Sequence, residues 1–159
     1  MSITIRRILE SDKTWMKELI RKRWHDKFIV TLRNIHTVED LDGFIAQEKQ
    51  RNVGLITFRI IKKSLEIITI NSLIPHKGVG QKLITKIVEF ARKEKIIRIW
   101  LITTNDNIKA IDFYKKLGFV IRKVHKNAIK YDRKLKPSIP LTGENGIPII
   151  DEIEFEMIL

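Results

Sequence analysis

His76-Lys77-Gly78-Val79-Gly80-Gln81-Lys82-Leu83 decides how this chain is read. Two glycines two positions apart let the backbone turn tightly, so successive N–H groups can point at an anion lying on the N-terminus of a following helix. Lys77 and Lys82 add charge at the same place. A phosphate or pyrophosphate suits such a turn. The kinase-type phosphate loop needs Lys-Ser/Thr after its second glycine, where Gln81-Lys82 stands. The dinucleotide fingerprint needs a third glycine where Leu83 stands. Neither pattern fits.

Downstream of the turn, Val79, Leu83, Ile84, Ile87, Val88 and Ala91 recur at helical spacing, with Gln81, Lys82, Lys86, Glu89, Arg92 and Lys93 opposite. Ile96 to Ile102 is a nearly continuous apolar run and predicts a buried strand. A second helix is expected from Asn107 to Leu117, stopped by Gly118, and then a strand from Phe119 to Val124. Upstream, segments 43–47, 53–60 and 64–70 are strand-like, and the polar breaks at 50–52 and 62–64 make them an antiparallel meander. Ile3 to Ile8 alternates as a first strand. Ser11 or Asp12 can cap a basic amphipathic helix whose apolar face is Trp15, Met16, Leu19, Ile20 and Trp24. The pattern of 28–35 favours neither element, and 37–40 suggests a short helical turn. Pro137, Pro140, Pro148, Gly143 and Gly146 mark a long loop before a closing strand in which Ile153, Phe155 and Met157 alternate with Glu152, Glu154 and Glu156. The expected architecture is a single α+β domain over 1–159, with a mixed, mostly antiparallel central sheet and helices on both faces.

The downstream segment from Thr103 to Phe119 completes the pattern: Asn107, Ala110, Phe113-Tyr114 and Leu117-Gly118-Phe119 follow the buried strand. With the Gly78-Val79-Gly80 turn before it, this order resembles the GNAT superfamily of acyl-CoA-dependent N-acetyltransferases over about residues 3–124. The resemblance implies a GNAT-like sheet with a splayed strand pair at the CoA site. It implies that Lys77, Gly78, Val79, Gly80, Gln81, Lys82 and Leu83 bind the CoA pyrophosphate through backbone N–H groups. It further implies that Leu73 and Ile74 pair with the pantetheine arm, that Asn107 contacts it, and that Tyr114 protonates the departing thiolate with Phe113 beside it. Pro75 stands where the family usually carries Gln or Arg.

Elementary chemistry agrees with that assignment, because a tyrosine of pKa about 10 can donate a proton to a thiolate leaving group. An alkylammonium of pKa about 10.4 must lose a proton before its nitrogen can attack. Glu66, on the strand before the turn, occupies a frequent family position for the base that removes it. Asp151, Glu152 and Glu154 are the other candidates, provided the closing strand borders the cleft.

The 159 residues carry 31 Lys and Arg against 19 Asp and Glu, a net charge of +12. Such an excess favours nucleic acid, anionic membrane or phosphate-bearing partners. Part of it sits where CoA should dock, so acetyl-CoA as co-substrate accounts for it without nucleic acid. The different-class reading is a basic nucleic-acid-binding module or a non-catalytic CoA sensor. The chain has no cysteine, which excludes disulfides and thiolate chemistry. His25, His36, His76 and His125 show no metal-ligand spacing, so no metal is expected. No apolar run reaches the roughly 20 residues of a membrane span, and the opening residues do not read as a signal peptide. The expectation is therefore a cytoplasmic enzyme, monomeric or homodimeric, acting on an amine that the sequence does not name.

Overall fold

The computed structural model describes residues 2–24, 26 and 28–159, so His25 lies outside them. In chain order the elements are β1 (Thr4–Arg7), α1 (Lys13–Trp24), β2 (Phe28–Thr31), β3 (Asn34–Thr37), β4 (Asp42–Glu48), β5 (Arg51–Ile61) and β6 (Ser64–Ser72). Then come α2 (Val79–Lys93), β7 (Arg98–Thr104), α3 (Ile108–Lys116), β8 (Val120–His125), α4 (Ile129–Leu135) and β9 (Glu152–Ile158). Seven strands form one sheet in the order β1-β4-β5-β6-β7-β9-β8, with β2 and β3 in a separate hairpin. Only the β6–β7 pairing is parallel, as the expected mixed, mostly antiparallel sheet requires.

Each face of the sheet carries its own core. On one face Val79, Leu83, Ile84, Ile87 and Ala91 of α2, with Tyr114 of α3, cover Phe44, Ile56, Phe58, Ile99 and Phe155. On the other, Met16, Leu19 and Ile20 of α1 cover Ile45, Leu55 and Ile68, and Trp15 and Trp24 pack half-buried at the margin. The period-3.6 stripes read from the sequence are therefore the packing faces. Asp12 sits in a 3-10 turn ahead of α1. Its carboxylate turns back to accept the Leu9 N–H at 2.7 Å and the Arg6 guanidinium at 2.7 and 2.8 Å.

The strand from Ile96 to Ile102 differs from a two-sided buried one. β7 starts at Arg98, and only Ile99 and Leu101 enter the core. Trp100 lies under the Arg98 guanidinium at 5.0 Å, and Ile102 faces open space. An apolar run thus covers a wall as well as a core.

Two elements were not legible. The 28–35 segment belongs to a hairpin whose turn residues, Leu32 and Arg33, have φ of 45° and 65°. Such turns usually advertise themselves with Asn or Gly, and this one does not. Helix α4 lies between the strand expected to end at Val124 and the proline-rich loop, where the sequence carries no expected element.

Gly54 on β5 has no room for a side chain because α2 begins against it. A Cβ there would lie 2.5 Å from Val79 Cγ1, 3.1 Å from the Asn71 carbonyl oxygen and 3.2 Å from Leu83 Cδ1. Val79 is short and stiff, so the helix start must move. Gly54→Ala is expected to cost about 1–3 kcal/mol by this overpacking, measured by urea denaturation. Unfolding at the wild-type midpoint would show that α2 does not press on β5.

Candidate active site

The sheet opens in its middle. β6 and β7 pair from Ser64↔Arg98 to Ile67↔Leu101 and no further. On the other side of β6 the register with β5 slips between Thr57↔Thr69 and Phe58↔Ile67, leaving Ile68 as an extra residue. A bulge bends and twists its strand, so β6 turns away from β7 just where their hydrogen bonding ends. The result is a V-shaped cleft of about 980 Å³, with Ile68, Ile70 and Asn71 on one wall and Ile102, Thr103 and Thr104 on the other. Asn71 Oδ1 is buried without a hydrogen-bond partner among the described residues.

Beside the cleft lies the start of α2. Gly78 precedes it at φ 68° and ψ 25°, and no side chain caps the helix, leaving its first N–H groups for an external acceptor. Gly80 faces the Phe113 ring, which a Cβ would approach to 3.1 Å. Val79 and Leu83 point into the core, so this turn offers a ligand their backbone only. Gln81 and Lys82, with Gly78 and Lys86, line a second recess of about 580 Å³. Lys77 stands 3.8 Å from Glu48. Leu73 gives its N–H to the Val53 carbonyl at 2.8 Å and packs toward the α1 face, while Ile74 packs toward the α2 face. Pro75 and His76 make the turn, His76 at φ 58°.

Asn107 borders the cleft and caps α3, its side chain accepting the Ala110 N–H at 3.3 Å. Two turns on, the Tyr114 ring is enclosed by Phe113, Phe119 and Phe155, at centroid distances of 5.3, 5.7 and 5.7 Å. Burial pushes its phenol well above the ordinary tyrosine value, so the group keeps its proton at neutral pH.

Residues 4–119 match the model of the acetyltransferase (GNAT) family. The chain belongs to the GNAT family. Among its relatives, the Bacillus subtilis protein YdhI is 40% identical, the match covering 94% of each chain. YxbD from the same organism is 39% identical over 89% of each. A Bacillus subtilis acetyltransferase solved in complex with CoA superposes with a TM-score of 0.73 at 19% identity, covering 99% of each chain. A GNAT acetyltransferase from Elizabethkingia anophelis, with acetyl-CoA bound, gives 0.71 at 21% identity over 99% of this chain and 98% of that one. These two are likenesses of fold.

The structure separates the carboxylates near the cleft. Glu66, Glu152, Glu154 and Glu156 share one face, because Glu66 and Glu156 both pair with Trp100, Glu154 with Ile102 and Glu152 with Thr104. Glu66 is buried and bonds Arg59 Nε at 2.8 Å; the Thr31 hydroxyl donates to it at 3.3 Å. Thr31 lines the cleft and Glu66 does not. Glu154 is bound by Arg98 and by His125 at 3.0 Å, and Glu156 by Arg98 Nε at 2.6 Å. Asp151 accepts the Asn127 N–H at 2.8 Å outside the cleft lining. Glu152 alone of the four glutamates on this face lines the cleft. Both its oxygens accept the Leu32 N–H at 3.2 Å, and Asp132 on α4 takes the next amide along, that of Arg33. Asp132 was not legible as a site residue, since nothing around it forms a motif and its amide partner Arg33 lies 99 positions away.

Burial, and then the Asp132 carboxyl, push the Glu152 carboxyl up to about 9. The folded protein therefore holds a proton that the unfolded chain releases near 4.5. By linkage, the stabilisation from this group is full below 4.5 and is lost as pH rises toward about 9. His36, held down to about 4 by burial, acts in the opposite direction on the acid side. Glu152→Gln should flatten the alkaline decline of melting temperature relative to wild type. Parallel wild-type and variant curves across neutral to alkaline pH would show that the group titrates normally.

Proposed function

We propose that the chain is a single N-acetyltransferase domain over residues 1–159, moving an acetyl group from acetyl-CoA to a primary amine by direct attack in a ternary complex. The observation that carries this reading is the coincidence of the split between β6 and β7 with the uncapped, glycine-opened start of α2. The split leaves β6 backbone groups free to hydrogen-bond an extended chain like an added strand. The helix start supplies N–H donors where a pyrophosphate would lie, one cleft wall away. Those features fit the two parts of CoA, an amide-bearing arm and a polyanion.

In this reading Lys77 through Leu83 hold the pyrophosphate by backbone N–H groups, with Lys77, Gln81 and Lys82 also offering side chains. Leu73, Ile74 and Asn107 hold the arm. Phe113 fixes the approach of α3 to Gly80. Tyr114 supplies a proton to the sulfur as the carbon–sulfur bond breaks, a phenol being protonated at neutral pH and able to donate to a thiolate. Glu66 stands behind Thr31 and holds that hydroxyl against the cleft.

Acetyl-CoA should raise the melting temperature at concentrations where an oligonucleotide of equal charge does not. No shift with acetyl-CoA, or a larger one with the oligonucleotide, overturns the reading. Tyr114→Phe should lower turnover about 100-fold, the low end of what a positioned acid contributes, with acetyl-CoA affinity unchanged in calorimetry. Wild-type turnover would remove the acid role.

A further inference from the structure

We propose that the Asp132–Glu152 carboxyl pair is the acceptor-amine site, binding the incoming alkylammonium and taking its proton as the nitrogen attacks. The proposal rests on the acetyltransferase reading and supplies what it lacks, a base and a substrate class.

Place comes first. Glu152 opposes Thr104, the last residue of β7, so its carboxyl stands at the open end of the V. Partnering comes second. Arginines answer Glu66, Glu154 and Glu156, and among the described residues no ion pair within 4.0 Å engages Glu152 or Asp132. Asp132 is completely enclosed; Oδ1 accepts the Arg33 N–H at 2.7 Å, and Oδ2 has no hydrogen-bond partner among the described residues. An enclosed carboxylate oxygen without a donor is costly. A proton held on the neighbouring Glu152 carboxyl relieves part of that cost. An ammonium bound at Glu152, which lines the cleft in front of it, relieves it further by bringing a countercharge.

The hairpin tip is built for the pair. Leu32 and Arg33 both hold left-handed backbone, which is unfavourable for a residue with a side chain, and their N–H groups go to Glu152 and Asp132. The other charged groups around the pair are already engaged. Lys136, one turn along α4, gives its ammonium to the carbonyls of Trp24 and Phe28 at 2.8 Å each. Glu66 faces the pair from β6 with Arg59 beside it, and His36, kept neutral by burial, bonds Thr31 at 2.8 Å.

The walls name the class. Trp24, Ile29, Ile129, Ile139 and Ile149 line the same cleft, with Arg23, Lys109 and Lys136 as its cations and Asp106 and Glu144 as its other carboxylates. The apolar wall residues suit a primary amine on an apolar body, and the three lining cations oppose a polyamine.

The protons balance. The free pair holds one proton, on Glu152, which leaves to solvent as the ammonium docks. Glu152 then takes a proton from nitrogen; the nitrogen–carbon bond forms, the carbon–sulfur bond breaks, and Tyr114 protonates sulfur. The second nitrogen proton returns through solvent to Tyr114. Ammonium and thioester become amide and thiol, with one proton released and the pair restored.

The test uses the full chain with acetyl-CoA and hexylamine, phenethylamine and leucinamide as probes, and 1,6-diaminohexane as the doubly charged control. Glu152→Gln and Asp132→Asn keep acceptors for the Leu32 and Arg33 N–H groups. Each should bind acetyl-CoA like wild type yet lose about 100-fold in kcat/KM for the best probe. Calorimetry in buffers of different ionisation heat should show a proton released on amine binding to wild type and none in Glu152→Gln. If one variant fails to fold, the other carries the test. Variants within about threefold of wild type, or unchanged proton release, overturn the proposal while leaving the acetyltransferase reading intact. Faster acetylation of the diamine, or acetyl-CoA binding with no acetylation of any probe, overturns the substrate class. Failure of wild type to bind acetyl-CoA overturns the underlying reading instead.

Discussion

The parallel contact between β6 and β7 holds for four residue pairs and then ends, and the rest of the molecule is arranged around that ending. Strand pairing is cooperative, so leaving an interior sheet open exposes backbone groups that must otherwise find partners. Here the opening is imposed from the far side: the extra residue at Ile68 is accommodated against β5, and β6 bends away from β7. Both cores brace the bend, Ile68 into the α1 side and Ile67 into the α2 side. A cleft made this way is rigid without needing a lid.

Electrostatics then sorts a row of chemically identical side chains. Glu66, Glu154 and Glu156 are neutralised by arginines on adjacent strands, where a bridge across the sheet is geometrically natural. Glu152 lies one pair beyond the last arginine, against a helix and a hairpin that offer amide N–H groups. Amides hydrogen-bond a carboxylate without cancelling its charge, so the group stays poorly compensated and retains a proton. One register position separates a structural carboxylate from one poised to exchange protons.

This also explains what could be read from sequence. The glycine turn, the helix faces and the Asn107-to-Phe119 segment are local patterns, and each lands where its spacing implies. The alternating glutamates of the closing strand were legible as a set but not individually, because their differences come from Arg98 and Arg122 on other strands. The β2–β3 hairpin was hidden because its turn uses Leu32 and Arg33 in place of glycine or asparagine. Its backbone is held by contacts to Glu152, 120 positions away, and to Asp132. α4 is short, and a seven-residue helix has too few repeats to show a period.

The position of β9 between β7 and β8 bears on how the chain reaches this state. During synthesis every other strand of the sheet is made first, yet β8 pairs only with β9 and stays unattached until residues 152–158 arrive. Until then β7 is an open edge carrying Trp100 and Ile102, the kind of surface that recruits foreign strands. The nascent protein therefore spends its vulnerable interval with half its active cleft wall exposed. Closing the sheet and completing the site are one event.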